Sequence, residues 1–243
     1  MIQKSKSVAL HTVRYGENSL IAYLYTQEFG RVSLMVNSAY GKGKGTKKAV
    51  YFQPLNIIDV VFYPGRNQGM GRLKEVSVSK TNSFLHINMV KSALAVFLGE
   101  IVYRTVKEEE SNSALFQFLE LSILSLEAMD NGVANFHLIF LTRLSKYLGF
   151  YPSGEYTTET PFFDCKSGQF VKVEPFHPIY FNQAHSQLLS KLLQTDYANA
   201  GDIALNGNQR NNFLNQLLNF YAYHMDSVHS LKSLLILTQL FTD

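Results

Sequence analysis

Apolar and polar positions alternate through the first third of the chain and then change period. Leu20–Tyr25 is rich in β-branched and aromatic residues, Gly30 marks a turn, and Arg31–Val36 reads as the second arm of a hairpin. Val50–Tyr63 (VYFQPLNIIDVVFY) is a long β-type run whose Pro54 places its first part at an edge or bulge. Pro64–Gly65 closes it, Gly69–Gly71 lies in the next loop, and Met70–Ser79 carries Leu73, Val76 and Val78 as a further strand. Strands so short and so close together, over residues 8–80, predict a small barrel.

After Thr81 the apolar spacing becomes three and four, as in Leu94, Phe97, Leu98, Ile101 and Val102. Helices are predicted over Phe84–Lys107, Ala114–Met129, Asn135–Leu148, Asn182–Gln194, Gln209–Asp226 and Leu231–Phe241. Asn112 or Ser113 is the expected cap of the second, and Ser230 of the last. Residues 150–181 read as an irregular insert with a small hairpin around Asp164–Gly168. The expected fold class is α+β: an OB-fold-like barrel over residues 1–80, then a helical domain over 81–243.

Charge follows the same division. Residues 1–82 carry 12 basic and 4 acidic residues, a balance of +8, whereas the remainder carries 10 and 15, a balance of −5. Such a split points to a polyanion partner for the basic half. Gly41–Lys48 (GKGKGTKK) is the sharpest local signal. Glycine allows close backbone approach to phosphate, and lysine supplies a point charge. It is not a phosphate-binding loop of the nucleotide-hydrolysing type, because Thr46 precedes Lys47 instead of following it. One reading is a basic loop gripping a nucleic-acid backbone; the other is a solvated hairpin tip. Tyr15, Tyr23, Tyr25 and Tyr40 interleave with the cations, either as stacking platforms for bases or as barrel core. The candidate DNA contacts are Arg14, Arg31, Tyr40, Lys42, Lys44, Lys47, Lys48, Arg66, Arg72 and Lys74.

Enzymatic and metal signals are weak. The lone Cys165 builds neither a disulfide nor a cysteine cluster, and no two of the seven histidines stand at helical i, i+4 spacing. No catalytic residue, cofactor or metal is expected. The N-terminal stretch lacks the apolar run of a secretory signal, and Phe84–Val106 is interrupted by His86, Lys91, Glu100 and Arg104, so no membrane span is expected and a cytoplasmic location is the simplest expectation.

The order of features resembles the RecO family of bacterial recombination mediators. Carrying the resemblance are Val13–Glu17 followed by Leu20–Thr26 and Glu28–Gly30, and the basic glycine loop before Phe52–Leu55. Further on are Tyr147–Pro152, Phe162–Phe170 (FFDCKSGQF), and His224–Leu234 with Leu231–Ser233. The resemblance implies an N-terminal OB-fold and a helical C-terminal domain without catalytic turnover. It implies binding of single- and double-stranded DNA, annealing of complementary strands, and action with RecR to load RecA onto strands coated by single-stranded-DNA-binding protein. Some members hold zinc on four cysteines; with Cys165 alone, zinc is not carried over. There is little room in mid-barrel for the usual OB helix, so a truncated version is expected. The resemblance also suggests that the helical half takes the acidic C-terminal tail of the coating protein. Arg143 and Lys146, three apart on one helix beside Phe140, Leu144 and Tyr147, are the candidate contacts, or else ordinary surface charges. An RNA-binding OB protein and a helical interaction scaffold are the alternatives from the charge split alone.

Overall fold

A computed structural model describes residues 1–40, 48–66, 69–79 and 85–241. The chain forms two compact units, Met1–Glu127 and Ala128–Asp243.

The first unit holds a closed five-stranded barrel of order β1-β2-β3-β5-β4. Its strands are β1 (Gln3–Tyr15), β2 (Ser19–Thr26), β3 (Gly30–Val36), β4 (Ile57–Tyr63) and β5 (Gly71–Val78). β1 serves two neighbours: Gln3–Val8 pairs with β4 and Ser7–Tyr15 with β2. β3 and β5 run parallel and join only at Leu34–Gly71 and Met35–Arg72. This is the OB-like arrangement expected. Inward residues Ala22, Leu24, Leu34, Val36, Ile58, Val60 and Phe62 are buried and make the barrel core.

One expectation for the barrel needs correction. The run Val50–Tyr63 is strand only from Ile57; Lys48–Phe52 is a 3-10 turn, and Leu55 sits at φ 63. A left-handed residue beside Pro54 interrupts pairing in spite of the β-type composition. That single turn stands between β3 and β4 where an OB-fold commonly inserts a full helix, among the described residues.

The first two helices, α1 (Met89–Thr105) and α2 (Ser113–Ala128), belong to the same unit as the barrel. Asn88 caps α1 by accepting from the Lys91 N–H at 3.1 Å, and Asn112 caps α2 by accepting from Leu115 at 3.0 Å. α1 approaches the barrel at Gly99, where a Cβ would lie 3.0 Å from the Leu10 carbonyl oxygen. Lys6 pairs with Glu120 at 2.9 Å. The sequence pattern breaks near residue 81, but packing divides at 127–128.

The second unit is helical: α3 (Phe136–Tyr147), α4 (Gln183–Gln194), α5 (Gly207–His224) and α6 (Leu234–Leu240). Asn206 and Gln209 form a capping box on α5. α6 begins at Leu234 after Ser233, not at the expected Ser230 cap, since Leu231 and Lys232 lie outside the helix. The insert carries a three-stranded sheet, β6 (Phe162–Asp164), β7 (Gln169–Val171) and β8 (Tyr180–Phe181), which contains the expected hairpin. Phe163 anchors it against Phe170, Phe181 and Phe220. Among the described residues no helix is long and apolar enough to cross a membrane.

Candidate nucleic-acid interface

Strand register decides which barrel side chains face outward. Leu20, Ala22, Leu24, Leu34 and Val36 point into the core, so Ile21, Tyr23, Ser33 and Met35 face out. The outer face of β1, β2 and β3 has two halves. Over one half lies the C-terminal end of α1. There Tyr103 packs on His11 and Tyr23, with ring centroids 4.6 and 4.9 Å apart. The Arg31 guanidinium lies 4.5 Å from the Tyr103 ring centre and donates to the carbonyls of Tyr103 and Val106 at 2.9 and 3.0 Å. Those are end-of-helix carbonyls without intrahelical partners, so Arg31 acts as a C-cap supplied by the barrel.

The other half carries no helix among the described residues. Val13, Ile21, Met35, Arg72 and Tyr63 stand opposite one another across β1, β2, β3, β5 and β4 and form one outward row. Val13, Tyr63 and the nearby Tyr15 and Met70 are exposed. This row lies at the barrel end that gathers the β1–β2 turn, the end of β3 and the β4–β5 loop. Arg14 and Tyr40 meet at one corner, the guanidinium 5.5 Å from the ring centre. Arg14 donates to the Glu17 carbonyl at 3.1 Å, and the Tyr40 N–H donates to the Asn18 carbonyl at 3.2 Å. The Ala49 N–H donates to Ala39 at 3.2 Å, so both flanks of the basic loop sit at this corner, with Lys48 exposed. Lys42, Lys44 and Lys47 lie outside the described residues. Arg72, in the row itself, and Arg66, three residues after Tyr63, are exposed; Lys74 is exposed beside Glu75, at 3.2 Å.

The barrel end therefore combines exposed rings with guanidinium and ammonium groups. Rings offer stacking surface and cations neutralise phosphates. The apolar members of the row escaped the sequence reading because the residues that register aligns are far apart in the chain. Alternation within each strand was the available signal.

The second unit uses its cations differently. Arg143 donates to the Thr195 carbonyl at 2.9 Å, pairs with the Asp196 carboxylate and covers the Tyr197 ring at 5.2 Å. Phe140 and Leu144 are fully buried, so the apolar side chains beside Arg143 are core. Lys146 is exposed and, among the described residues, its ammonium makes no hydrogen bond or ion pair. Arg210 is buried; it donates to Asn135 Oδ1 at 3.0 Å and the Leu205 carbonyl at 2.8 Å, while Asn135 donates to the carbonyls of Ala200 and Ile203. Burial pushes the Cys165 thiol up to about 12, with Asp164 adding to the effect, so it is a poor nucleophile. No group of three or more His, Cys, Asp or Glu side chains is arranged to hold a metal among the described residues.

Residues 1–82 match the family profile for the recombination protein O N terminal and residues 87–235 that for its C terminal. The chain belongs to the RecO family. It is 35% identical to the DNA repair protein RecO of Flavobacterium psychrophilum over 240 residues, covering 98% of this chain and 99% of that one. It is 34% identical to the RecO proteins of Phocaeicola vulgatus and Bacteroides fragilis over 242 residues, covering all or nearly all of each. Two separated RecO-like segments, Tyr147–Pro152 and the start of His224–Leu234, meet in space. Phe150 stacks on His224 with centroids 4.8 Å apart and meets Phe220 and Tyr221 edge-on.

Proposed function

We propose that this RecO-family chain is a non-catalytic DNA repair mediator whose basic barrel end binds single- and double-stranded DNA and anneals complementary strands. The observation that carries the reading is the outward row Val13–Ile21–Met35–Arg72–Tyr63, flanked by Arg14, Lys48 and Arg66. Complementary strands repel one another through their phosphates; cations displace the counterions and lower that barrier, while exposed rings hold unstacked bases. Lys74, and Lys42, Lys44 and Lys47 between Tyr40 and Lys48 in the chain, add to the positive charge of this module. In this reading residues 1–80 are the DNA-binding module and Arg31 fixes the barrel to α1. The helical residues 81–243 serve protein partners in the cytoplasm: RecR, and the acidic C-terminal tail of single-stranded-DNA-binding protein, with RecA loaded as the outcome. Lys146 is the member of the Arg143–Lys146 pair open to a carboxylate of that tail.

A strand-annealing assay tests the proposal. The full chain is expected to accelerate pairing of complementary oligonucleotides coated by single-stranded-DNA-binding protein, and the acceleration fades as salt rises. No acceleration at low salt, or tighter binding to RNA than to DNA of the same sequence, contradicts it.

A further inference from the structure

We propose that the cleft between β3 and the β4–β5 loop receives one unstacked nucleobase from a DNA strand held at the barrel end. This rests on the DNA-binding reading above and adds a base-specific component to it. The cleft has a volume of about 570 Å³ and lies wholly within Met1–Glu127. Pockets of roughly 300–1,000 Å³ hold small-molecule groups. It exists because β3 and β5 pair at two positions only, Leu34–Gly71 and Met35–Arg72, and the strands separate beyond them. Pro64, Gly65, Gly69 and Gly71 make the far wall, and the backbone is close there: a Cβ on Gly65 would lie 2.2 Å from the Gly69 carbonyl oxygen, and one on Gly71 2.7 Å from that of Tyr63.

The lining suits a base. Tyr23, Phe29 and Phe62 supply aromatic surface, with Phe29 and Phe62 edge-to-face at 5.9 Å. The Arg31 guanidinium lines it as well, already bonded to the end of α1, and four further polar side chains do so: the Gln3 amide, the Ser33 hydroxyl, the Lys107 ammonium and the Glu109 carboxylate. Among the described residues none of these four has a hydrogen-bond or ion-pair partner. Together they offer donors and acceptors, which is what a base edge presents. An aliphatic or phenyl side chain from a peptide would leave all four unpaired on closing the cleft. A bare phosphate would meet Arg31 and Lys107 but would leave the ring walls uncovered and face the Glu109 carboxylate. Arg66 and Arg72 directly follow the lining residues Gly65 and Gly71 and are exposed, so cations close in the chain to the cleft are free to meet the backbone beside the inserted base. An unpaired base enters at lower cost than a paired one, which matches a single-stranded ligand.

The test compares the full chain's affinity for oligothymidylate with that for an abasic strand of equal length at one salt concentration. Wild type is expected to prefer the base-bearing strand by roughly tenfold or more. Ser33 faces outward opposite Tyr23, so Ser33→Leu fills the cleft; it is expected to cut that preference at least fivefold with the salt slope unchanged. Lys107→Ala with Glu109→Ala, both exposed, is expected to cut the preference by a few fold, and carries the test if Ser33→Leu fails to fold. An undiminished preference in a folded variant overturns the inference, and so does an equal loss on both strands. Equal wild-type affinity for the two strands also overturns it while leaving DNA binding intact. Absence of binding to either strand removes the DNA-binding reading itself.

Discussion

Arg72 in the barrel and Arg210 in the helical unit are the same side chain put to opposite uses. Arg72 stands in an outward row between Met35 and Tyr63 and meets solvent. Arg210 is buried, donates to Asn135 and Leu205, and lies 5.5 Å from the Phe241 ring centre. Arg143 follows Arg210 in clasping backbone, through the Thr195 carbonyl. A guanidinium with satisfied donors holds structure, and one with open donors is available for a ligand. Chain charge alone does not separate the two. Arg31 shows this within the barrel, since its donors already serve the end of α1.

The comparison breaks first on stability. Arg210→Ala leaves a buried amide oxygen and a part-buried carbonyl without their donor, and is expected to cost about 3 kcal/mol, read as a lower urea midpoint by circular dichroism. Arg72→Ala is expected to stay within about 0.5 kcal/mol of wild type. Equal costs would abolish the distinction.

Acid sharpens it next. Burial holds His137 neutral, its pKa lowered from 6.5 to about 3, with Arg210 adding to the shift. The unfolded chain takes up that proton near pH 6.5 and the folded unit does not, so stability is full above about 6.5 and falls as pH drops towards 3. Between pH 7 and pH 5 the loss is expected to be about 2 kcal/mol. Burial also lowers His185, in the same direction. His137→Phe, stacking on Phe241 as the imidazole does, is expected to flatten most of the dependence. An unchanged pH profile in that variant contradicts the assignment.

Most of the barrel was legible because β2 and β3 alternate and β5, though a register shift sets its core residues Leu73 and Val76 three apart, keeps a β-type composition. The first half of β1 was not, since its inward positions Ser5 and Ser7 are small, polar and buried, beside outward Lys4 and Lys6. The start of β4 was misplaced because Leu55 takes a left-handed backbone that apolar composition does not signal. The exposed cations of the site were readable as types. Which of them are engaged was not, because Arg31 and Arg143 bond main-chain carbonyls, and Arg210 the Asn135 side chain, of segments distant in the chain. Helix existence was readable throughout, whereas the packing of α1 and α2 with the barrel depends on close approaches such as Gly99 to Leu10 that no periodicity encodes.

The central claim is that the barrel's outward cations hold DNA and the helical unit's inward ones do not. It is tested most directly by the salt dependence of single-stranded DNA affinity for wild type, a Lys48→Ala, Arg66→Ala, Arg72→Ala triple variant, and an Arg143→Ala variant. The triple variant is expected to bind more weakly, with a slope of log affinity against log salt shallower by about 0.7 for each phosphate it no longer neutralises, while Arg143→Ala keeps the wild-type slope. An unchanged slope in the triple variant, or a shallower one in Arg143→Ala, contradicts the account.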